Sequence, residues 1–283
     1  MWNKNGLLNL KESDRILVVA PHADDECIGC GGLLLKYAAQ TDVLLLSDGR
    51  FGYDPSDPDA SPEKTRILRQ NEFKSVMSFL NVRKYTMLDI QNGDVYRHYS
   101  VVREYDIREY DFIFVPSRFE NNHDHLSAFY YLRKMIRAQH AKARLIEYEV
   151  WVPIPDPQVI LDIEDVIERK KQALSMYESQ LKCYDYINFA YGLNLYRGGR
   201  FQTALRRSIF RAAETLSSED SGQASDDLRI PKESQKTLFG FKGQKELNAA
   251  AEKAAERLVV MRGKGRGRRN APCVSPHQSS KPA

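Results

Sequence analysis

The sequence predicts an α/β fold in which a mostly parallel sheet is covered by helices on both faces. Two observations support this prediction: short apolar runs recur along the chain, and segments with helical periodicity separate them. Strands that alternate with helices form parallel sheets, because each connecting helix crosses one face of the sheet. At 283 residues, of which 42% are apolar, the chain is long enough for one large domain of this kind or two smaller ones.

Six apolar runs predict the strands. The first, "RILVVA", contains a single polar residue, which is typical of a strand that is buried on both faces. "DVLLLS", "KYTML" and "DFIFVP" have a similar character, and "RLIEYEVW" and "QVILDI" complete the set. The predicted strands cover residues 15–20, 42–47, 84–88, 111–116, 144–151 and 158–163.

Helical patterns fill the intervals between these runs. "GGLLLKYAAQ" follows the first strand, and "PEKTRILRQNEFKSVMSFL" is a long amphipathic segment whose proline suits the first turn of a helix. The predicted helices cover residues 31–40, 62–80, 126–137 and 164–178, and one further helix is predicted over 244–261.

The composition of the chain changes near residue 199. Residues 1–199 make up the predicted α/β domain, and residues 200–283 are predicted to be a low-complexity basic tail, partly helical or disordered. This tail contains 17 Lys and Arg against 9 Asp and Glu, a net charge of +8 in a chain whose total is +4. The basic pI therefore comes from the tail and does not indicate that the main domain binds nucleic acid.

We expect neither a membrane span nor a secretory signal. No run approaches the ~18–20 apolar residues that a membrane helix needs, and the first 15 residues contain no continuous apolar stretch followed by a cleavage site. The four cysteines are too few for a disulfide scaffold. The expected location is therefore the cytoplasm.

The segment "VVAPHADDECIGCGG", residues 18–32, places a histidine and three consecutive acids directly after the first strand. Such acids repel one another and are costly to bury unless a positive charge lies between them, so a bound metal cation is the natural explanation. His22 and Asp25 are three residues apart, which allows both side chains to face one point, and Asp24 can then face a water on the metal. The alternative is that the acids only cap the following helix.

A second cluster, "SRFENNHDH", follows the fourth strand and can supply a third, nitrogen ligand. In parallel sheets, ligands bind beyond the carboxyl ends of the strands, where both clusters would lie. Two histidines and one carboxylate, with a fourth position left to water, are typical of a catalytic rather than a structural zinc site. We therefore favour a metal site over a helix cap.

These motifs resemble those of the PIG-L/LmbE-type zinc-dependent N-acetylglucosaminyl deacetylases. Their first motif usually reads His-Pro-Asp-Asp-Glu followed by a Gly-Gly pair, and here those positions are His22, Ala23, Asp24, Asp25, Glu26, Gly31 and Gly32. Weaker similarity is found in "SDG" at 47–49, in the Arg-x-x-Glu pattern of 66–82 and in the Ser-Gln ending of 170–181. The resemblance covers about residues 13–198 and implies a Rossmann-like three-layer sandwich.

The resemblance also implies the roles of the motif residues. His22, Asp25 and His125 would bind zinc, and Asp24 would be the general base. The family's second motif often reads His-x-Asp-His, but its first position is Asn122 in this chain. An asparagine can donate a hydrogen bond but cannot supply a proton.

Further predictions concern the surroundings of the zinc. Asn122 or His123 would stabilise the oxyanion, and Asp124 would orient a zinc-bound imidazole. The candidates for binding sugar hydroxyls are Asp48, Arg66 and Arg69.

The function implied is a hydrolase that removes the N-acetyl group from an N-acetylglucosamine-type sugar conjugate, by attack of a zinc-bound water. Two alternatives are a metal-dependent hydrolase of another amide or ester, and an inactive metal- or sugar-binding protein. A nucleic-acid-binding role that rests on the tail is a distant third. The sequence leaves open the aglycone, the oligomeric state and the metal, since Fe²⁺, cobalt or manganese also suit two histidines and an aspartate.

Overall fold

The computed structural model describes residues 6–53, 57–200 and 207–212 of the chain. Seven strands lie in one sheet. They are β1 (Ile16–Ala20), β2 (Thr41–Ser47), β3 (Lys84–Ile90), β4 (Phe112–Pro116), β5 (Arg144–Tyr148), β6 (Val159–Asp162) and β7 (Arg207–Ala212). Their spatial order is β3-β2-β1-β4-β5-β7-β6, and the first five are mutually parallel. Strand β7 runs antiparallel to both of its neighbours.

Seven helices are described in the same part of the chain. They are α1 (Asp25–Tyr37), α2 (Pro62–Leu80), α3 (Tyr99–Val102), α4 (His123–Ala138), α5 (Ile167–Ser175), α6 (Glu178–Leu181) and α7 (Tyr186–Arg200). No helix among the described residues is both long enough and apolar enough to cross a bilayer.

The continuous apolar character of β1 reflects burial on both faces of the sheet. Ile16 and Val18 pack in the core that contains apolar residues of α1, α2, α5 and α7. Leu17 and Val19 point to the opposite face and pack with α4. Helices therefore cover both faces of a mostly parallel sheet, and the predicted three-layer α/β fold is confirmed.

Two predicted boundaries differ from the structure because side chains capture backbone N–H groups. Strand β5 ends at Tyr148, three residues earlier than predicted, because the N–H groups of residues 150–152 donate to the Glu120 carboxylate. Helix α4 begins at His123, three residues earlier than predicted, because the Asn122 side chain caps its first turn. The predicted helix over 164–178 begins with a 3₁₀ turn, and α5 ends at Ser175.

Strand β7 was not predicted, and it lies beyond residue 199, where the sequence analysis placed the domain boundary. It pairs with β5 and β6, so the sheet of the α/β domain extends to residue 212. Antiparallel pairing on both sides stabilises this short, arginine-rich segment, "RSIFRA", which has no continuous apolar run. The rest of the predicted basic tail, including the helix over 244–261, lies outside the described residues.

Close packing explains the glycines of α1. A Cβ on Gly29 would lie 2.2 Å from Cδ2 of Tyr148 and 2.7 Å from the carbonyl oxygen of Glu149. A Cβ on Gly32 would lie 2.2 Å from Cγ2 of Ile163. The absence of a side chain thus lets α1 pack directly against the end of β5 at Gly29 and against Ile163, which follows β6, at Gly32.

Lys170 on α5 is a fully buried lysine. Its ammonium donates to the carbonyl oxygen of Ile28 and to Oδ1 of Asn194, both at 2.8 Å and both neutral. Burial lowers the pKa of Lys170 to about 8. The folded protein therefore releases this proton at a lower pH than the unfolded chain does.

This lysine predicts a pH dependence of stability. Between about pH 8 and 10.5 the unfolded chain binds the proton that the folded protein has lost, so the free energy of unfolding rises with pH. In this window, the free energy of unfolding of wild type should rise, relative to that of Lys170→Met, by up to about 1.4 kcal/mol per pH unit. Urea denaturation at several pH values measures the gain, and Lys171→Met, at the half-exposed neighbouring position, is the control. Equal pH slopes for wild type and Lys170→Met would contradict the assignment.

Candidate metal centre

The segments that follow β1 and β4, up to the first turns of α1 and α4, bring together the three residues predicted to bind a metal. Strands β1 and β4 are parallel neighbours, so their carboxyl ends lie at one edge of the sheet. Nδ1 of His22 lies 3.2 Å from Oδ2 of Asp25 and 3.2 Å from Nε2 of His125. Nε2 of His125 lies 3.1 Å from the same oxygen of Asp25. Two nitrogens and one carboxylate oxygen therefore face a common point.

The electrostatics of this cluster suit a divalent cation. Its side chains are almost inaccessible to solvent, at 11% exposure for His22, 2% for Asp25 and none for His125. Burial opposes protonation of His22, but contacts with Asp124 and Asp25 outweigh it and raise the pKa of His22 to about 9. Burial likewise opposes protonation of His125, yet Asp25 and the Glu120 carboxylate raise the pKa of His125 to about 10. The surrounding carboxylates thus favour positive charge at this point, and a metal ion would supply it.

Each histidine is held on its other ring nitrogen by a carboxylate. Nε2 of His22 lies 3.2 Å from Oδ2 of Asp124, which accepts the N–H of Gly93 at 2.7 Å. Nδ1 of His125 lies 3.3 Å from Oε2 of Glu120. Such partners fix the orientation and tautomer of metal-binding histidines. The structure therefore places Asp124 where the sequence analysis expected it, beside an imidazole of the site.

Glu120 was missed by the sequence analysis. Its second oxygen, Oε1, accepts the N–H groups of Val150, Trp151 and Val152 at 3.1, 3.0 and 3.1 Å. The only sequence signal was an acid five residues before His125, which looks the same as a solvated acid on a loop. Its role depends on the end of β5, which the sequence places some 30 residues away.

We expect Glu120→Gln to weaken metal binding by about 10–100-fold, because an amide holds the His125 ring less firmly than a carboxylate does. A competition titration against a chromogenic chelator measures the dissociation constant. Glu104→Gln, which changes an exposed glutamate in the same way, is the matched control. An unchanged metal affinity in folded Glu120→Gln protein would show that Glu120 does not support the ligand.

Asp24 lies beside the three candidate ligands and is held under strain. It is 4% exposed, and its backbone φ of 133° lies in a region that costs a non-glycine residue about 1–3 kcal/mol. Burial raises the pKa of Asp24 to about 7, even though the Arg69 guanidinium opposes the rise. A buried carboxyl group that titrates near neutrality is suited to general acid–base chemistry.

Arg69, predicted to bind sugar hydroxyls, contacts Asp24 and the backbone of Ala23, and sugar binding by it remains a prediction. Its Nη2 lies 3.1 Å from Oδ2 of Asp24 and 2.6 Å from the carbonyl oxygen of Ala23. On the same helix, Glu72 accepts the N–H and the hydroxyl of Ser179 at 2.7 and 2.6 Å. The Arg-x-x-Glu and Ser-Gln segments singled out in the sequence therefore meet beside Asp24.

The structure places the two residues before Asp124 at the first turn of α4. Oδ1 of Asn122 accepts the N–H groups of Asp124 and His125 at 2.8 and 3.4 Å. The ring of His123 is half-buried, with its centroid 6.4 Å from that of Tyr96. Contact with an oxyanion remains a prediction for both residues.

Of the remaining two candidates, Asp48 follows the end of β2 and Arg66 lies on α2. The buried Asp48 carboxylate accepts the N–H groups of Arg50 and Asn92, each at 3.1 Å. Arg66, which is half-buried, pairs with Glu63 at 2.7 Å and with Asp89 at 3.0 Å. Both side chains are thus partnered within the protein, and sugar binding by them remains a prediction.

The fold and the site together define an α/β protein with a candidate metal centre at the carboxyl edge of its parallel sheet. Residues 17–136 match the model of the PIG-L family, which is described as GlcNAc-PI de-N-acetylase. The chain therefore contains a PIG-L family domain, and the resemblance noted in the sequence is confirmed. The matched residues include all three candidate ligands and Asp24.

Solved structures share the fold at low sequence identity. N,N'-diacetylchitobiose deacetylase from Pyrococcus horikoshii superposes with a TM-score of 0.59 at 19% identity, over 73% of this chain and 87% of that one. The conserved protein TT1542 from Thermus thermophilus superposes with a TM-score of 0.58 at 19% identity, over 74% of this chain and 99% of that one. The 4-carboxy-2-hydroxymuconate hydratase GalB from Pseudomonas putida superposes with a TM-score of 0.57 at 17% identity, over 72% of this chain and 100% of that one. One fold thus serves a deacetylase and a hydratase, so the reaction must be argued from the site.

Proposed function

We propose that this protein is a metal-dependent N-deacetylase that removes the acetyl group from an N-acetylglucosamine-type sugar conjugate. The observation that carries the proposal is the position of Asp24, a buried carboxyl group beside three converging metal-ligand atoms. The family match of residues 17–136 and the deacetylase among the structural neighbours support it. We also propose that the protein acts in the cytoplasm, on the basis of its sequence.

His22, Asp25 and His125 would hold the metal. Their donor set, two imidazoles and a carboxylate, suits Zn²⁺ and is also compatible with Fe²⁺. When bound, such a metal acts as a Lewis acid and lowers the pKa of a water from 15.7 to about 7.

Asp24 moves the proton in the proposed reaction. It accepts a proton from the attacking water as the water oxygen bonds to the acetyl carbon. The same proton then passes to the sugar nitrogen as the C–N bond breaks, which yields acetate and a free amine. Arg69 holds Asp24 in place at 3.1 Å, and burial raises the pKa of Asp24 to about 7.

Charge on the carbonyl oxygen needs a hydrogen-bond donor in the transition state. Asn122 uses its Oδ1 to cap α4, and its amide nitrogen is the donor that can face substrate. His123, the next residue, is the second proposed donor. Asp48 and Arg66 are the proposed contacts to sugar hydroxyls, whereas Arg69 is assigned to positioning Asp24.

Acetate release from N-acetylglucosamine conjugates with inositol, lipid, peptide and sugar aglycones tests the proposal. We expect release by metal-loaded protein, loss of release after chelation, and recovery on reloading with zinc. N-propionyl and N-benzoyl analogues and acetyl esters test whether the enzyme acts on another amide or ester. No release from any compound, with one metal bound per chain, would contradict the proposal and favour an inactive metal- or sugar-binding protein.

A further inference from the structure

Four aromatic side chains, Trp151, Tyr184, Tyr186 and Phe189, form a cluster that the proposed reaction does not use. Trp151 follows the end of β5, and the other three lie at or just before the start of α7. The centroid of Trp151 lies 6.1 Å from that of Tyr184, 5.5 Å from that of Tyr186 and 5.6 Å from that of Phe189. We call this group the aromatic cluster.

Three of the four rings are open to solvent. Tyr184 is 61% exposed, Phe189 38% and Trp151 36%, whereas Tyr186 is buried beneath them. Single exposed apolar residues are ordinary on protein surfaces, but contiguous ones mark sites of interaction. The aromatic cluster is therefore a candidate binding surface.

The backbone of Trp151 connects this surface to the candidate metal centre. The backbone N–H of Trp151 donates to Oε1 of Glu120 at 3.0 Å, and the other oxygen of Glu120 lies 3.3 Å from the His125 ring. Burial raises the pKa of the Tyr186 hydroxyl, and the negative charge of Asp24 raises it further. The aromatic cluster therefore borders the candidate metal centre.

The charge of the cluster restricts what can bind there. None of the four rings carries a charged group, and Asp185, between Tyr184 and Tyr186, adds a negative charge. Recognition of phosphate relies on arginine or lysine, so this surface is poorly suited to a phosphate-bearing group. A neutral ring with an apolar face suits it well, because the C–H face of a sugar stacks on the π face of an aromatic ring.

We propose that the aromatic cluster binds a second, neutral sugar ring joined to the N-acetyl sugar that is deacetylated. This rests on the proposed function and narrows its substrates to neutral disaccharides or longer oligosaccharides. Trp151 stacks on the second ring, and Tyr184 and Phe189 border it.

The test compares N,N'-diacetylchitobiose with N-acetylglucosamine. We expect wild type to prefer the disaccharide in kcat/KM by about tenfold, chiefly through KM, as one stacked ring would provide. Trp151→Ala should lose this preference, and Trp151→Phe should keep part of it. Tyr85→Ala is the control, because it removes an exposed aromatic ring on β3, an edge strand that three strands separate from β5. This variant should retain the preference for the disaccharide.

A binding measurement separates failure of this proposal from failure of the proposed function. Calorimetry with both sugars on metal-loaded Asp24→Asn protein, with and without Trp151→Ala, requires no turnover. A disaccharide preference that depends on Trp151 would support the second-ring site even if no acetate were released. The second-ring proposal would be overturned if Trp151→Ala lowered the affinity for both sugars equally, or if the preference for the disaccharide survived the substitution.

Discussion

His125→Ala is expected to lose its metal and, with it, all measurable deacetylation. The ring contributes one of three converging donor atoms and is fully buried. Its removal also leaves the Glu120 carboxylate facing a cavity. We expect metal affinity to fall by at least about 10³-fold, well beyond the effect of altering a residue that only supports a ligand.

Elemental analysis after gel filtration measures the bound metal, and acetate release measures activity. His140→Asn is the matched control, since His140 is an exposed histidine at φ 53° and asparagine tolerates that conformation. It should bind one metal per chain and keep full activity. Stoichiometric metal in folded His125→Ala would rule out His125 as a ligand.

Asp24→Asn has the opposite signature: it should keep the metal and lose the reaction. Asparagine has the same shape and can still accept the hydrogen bond from Arg69, but it cannot take a proton from water. Removal of a general base typically lowers kcat by about 10²–10⁴-fold. Circular dichroism and metal content should match those of wild type.

Asp106→Asn, a change to an exposed aspartate that pairs with Arg108, serves as the control for this substitution. The decisive comparison is between the two site variants. If Asp24→Asn retained more than about a tenth of wild-type kcat, Asp24 would not be the base. If it lost the metal as well, its role would lie in the coordination of the ion or in the stability of the site.

The parts of the site that the sequence predicted are those encoded by adjacent residues. His22, Asp24 and Asp25 occupy one turn after an apolar run, and their proximity follows from the chain itself. Pairing them with the "NNHDH" cluster required the rule that parallel strands end at one edge, and the family resemblance selected His125 within that cluster. The fold could also be predicted from the sequence, because strands that are buried on both faces consist of continuous apolar runs, such as β1.

What could not be predicted depends on contacts between distant segments. Glu120 and Arg69 have ordinary sequence surroundings, and their roles follow from the end of β5 and from the carboxylate of Asp24. The φ of Asp24 is likewise set by tertiary packing, since no local pattern favours it. Strand β7 escaped detection because its pairing partners, rather than its composition, stabilise it.

The two oxygens of Glu120 have a thermodynamic consequence. One orients a candidate ligand and the other fixes the backbone of residues 150–152, so a displacement of that loop is transmitted to the imidazole through a single side chain. If a ligand ordered the loop and thereby strengthened metal binding, the metal would strengthen binding of that ligand by the same factor. Coupling between a metal and a ligand of this loop would therefore pass through one carboxylate.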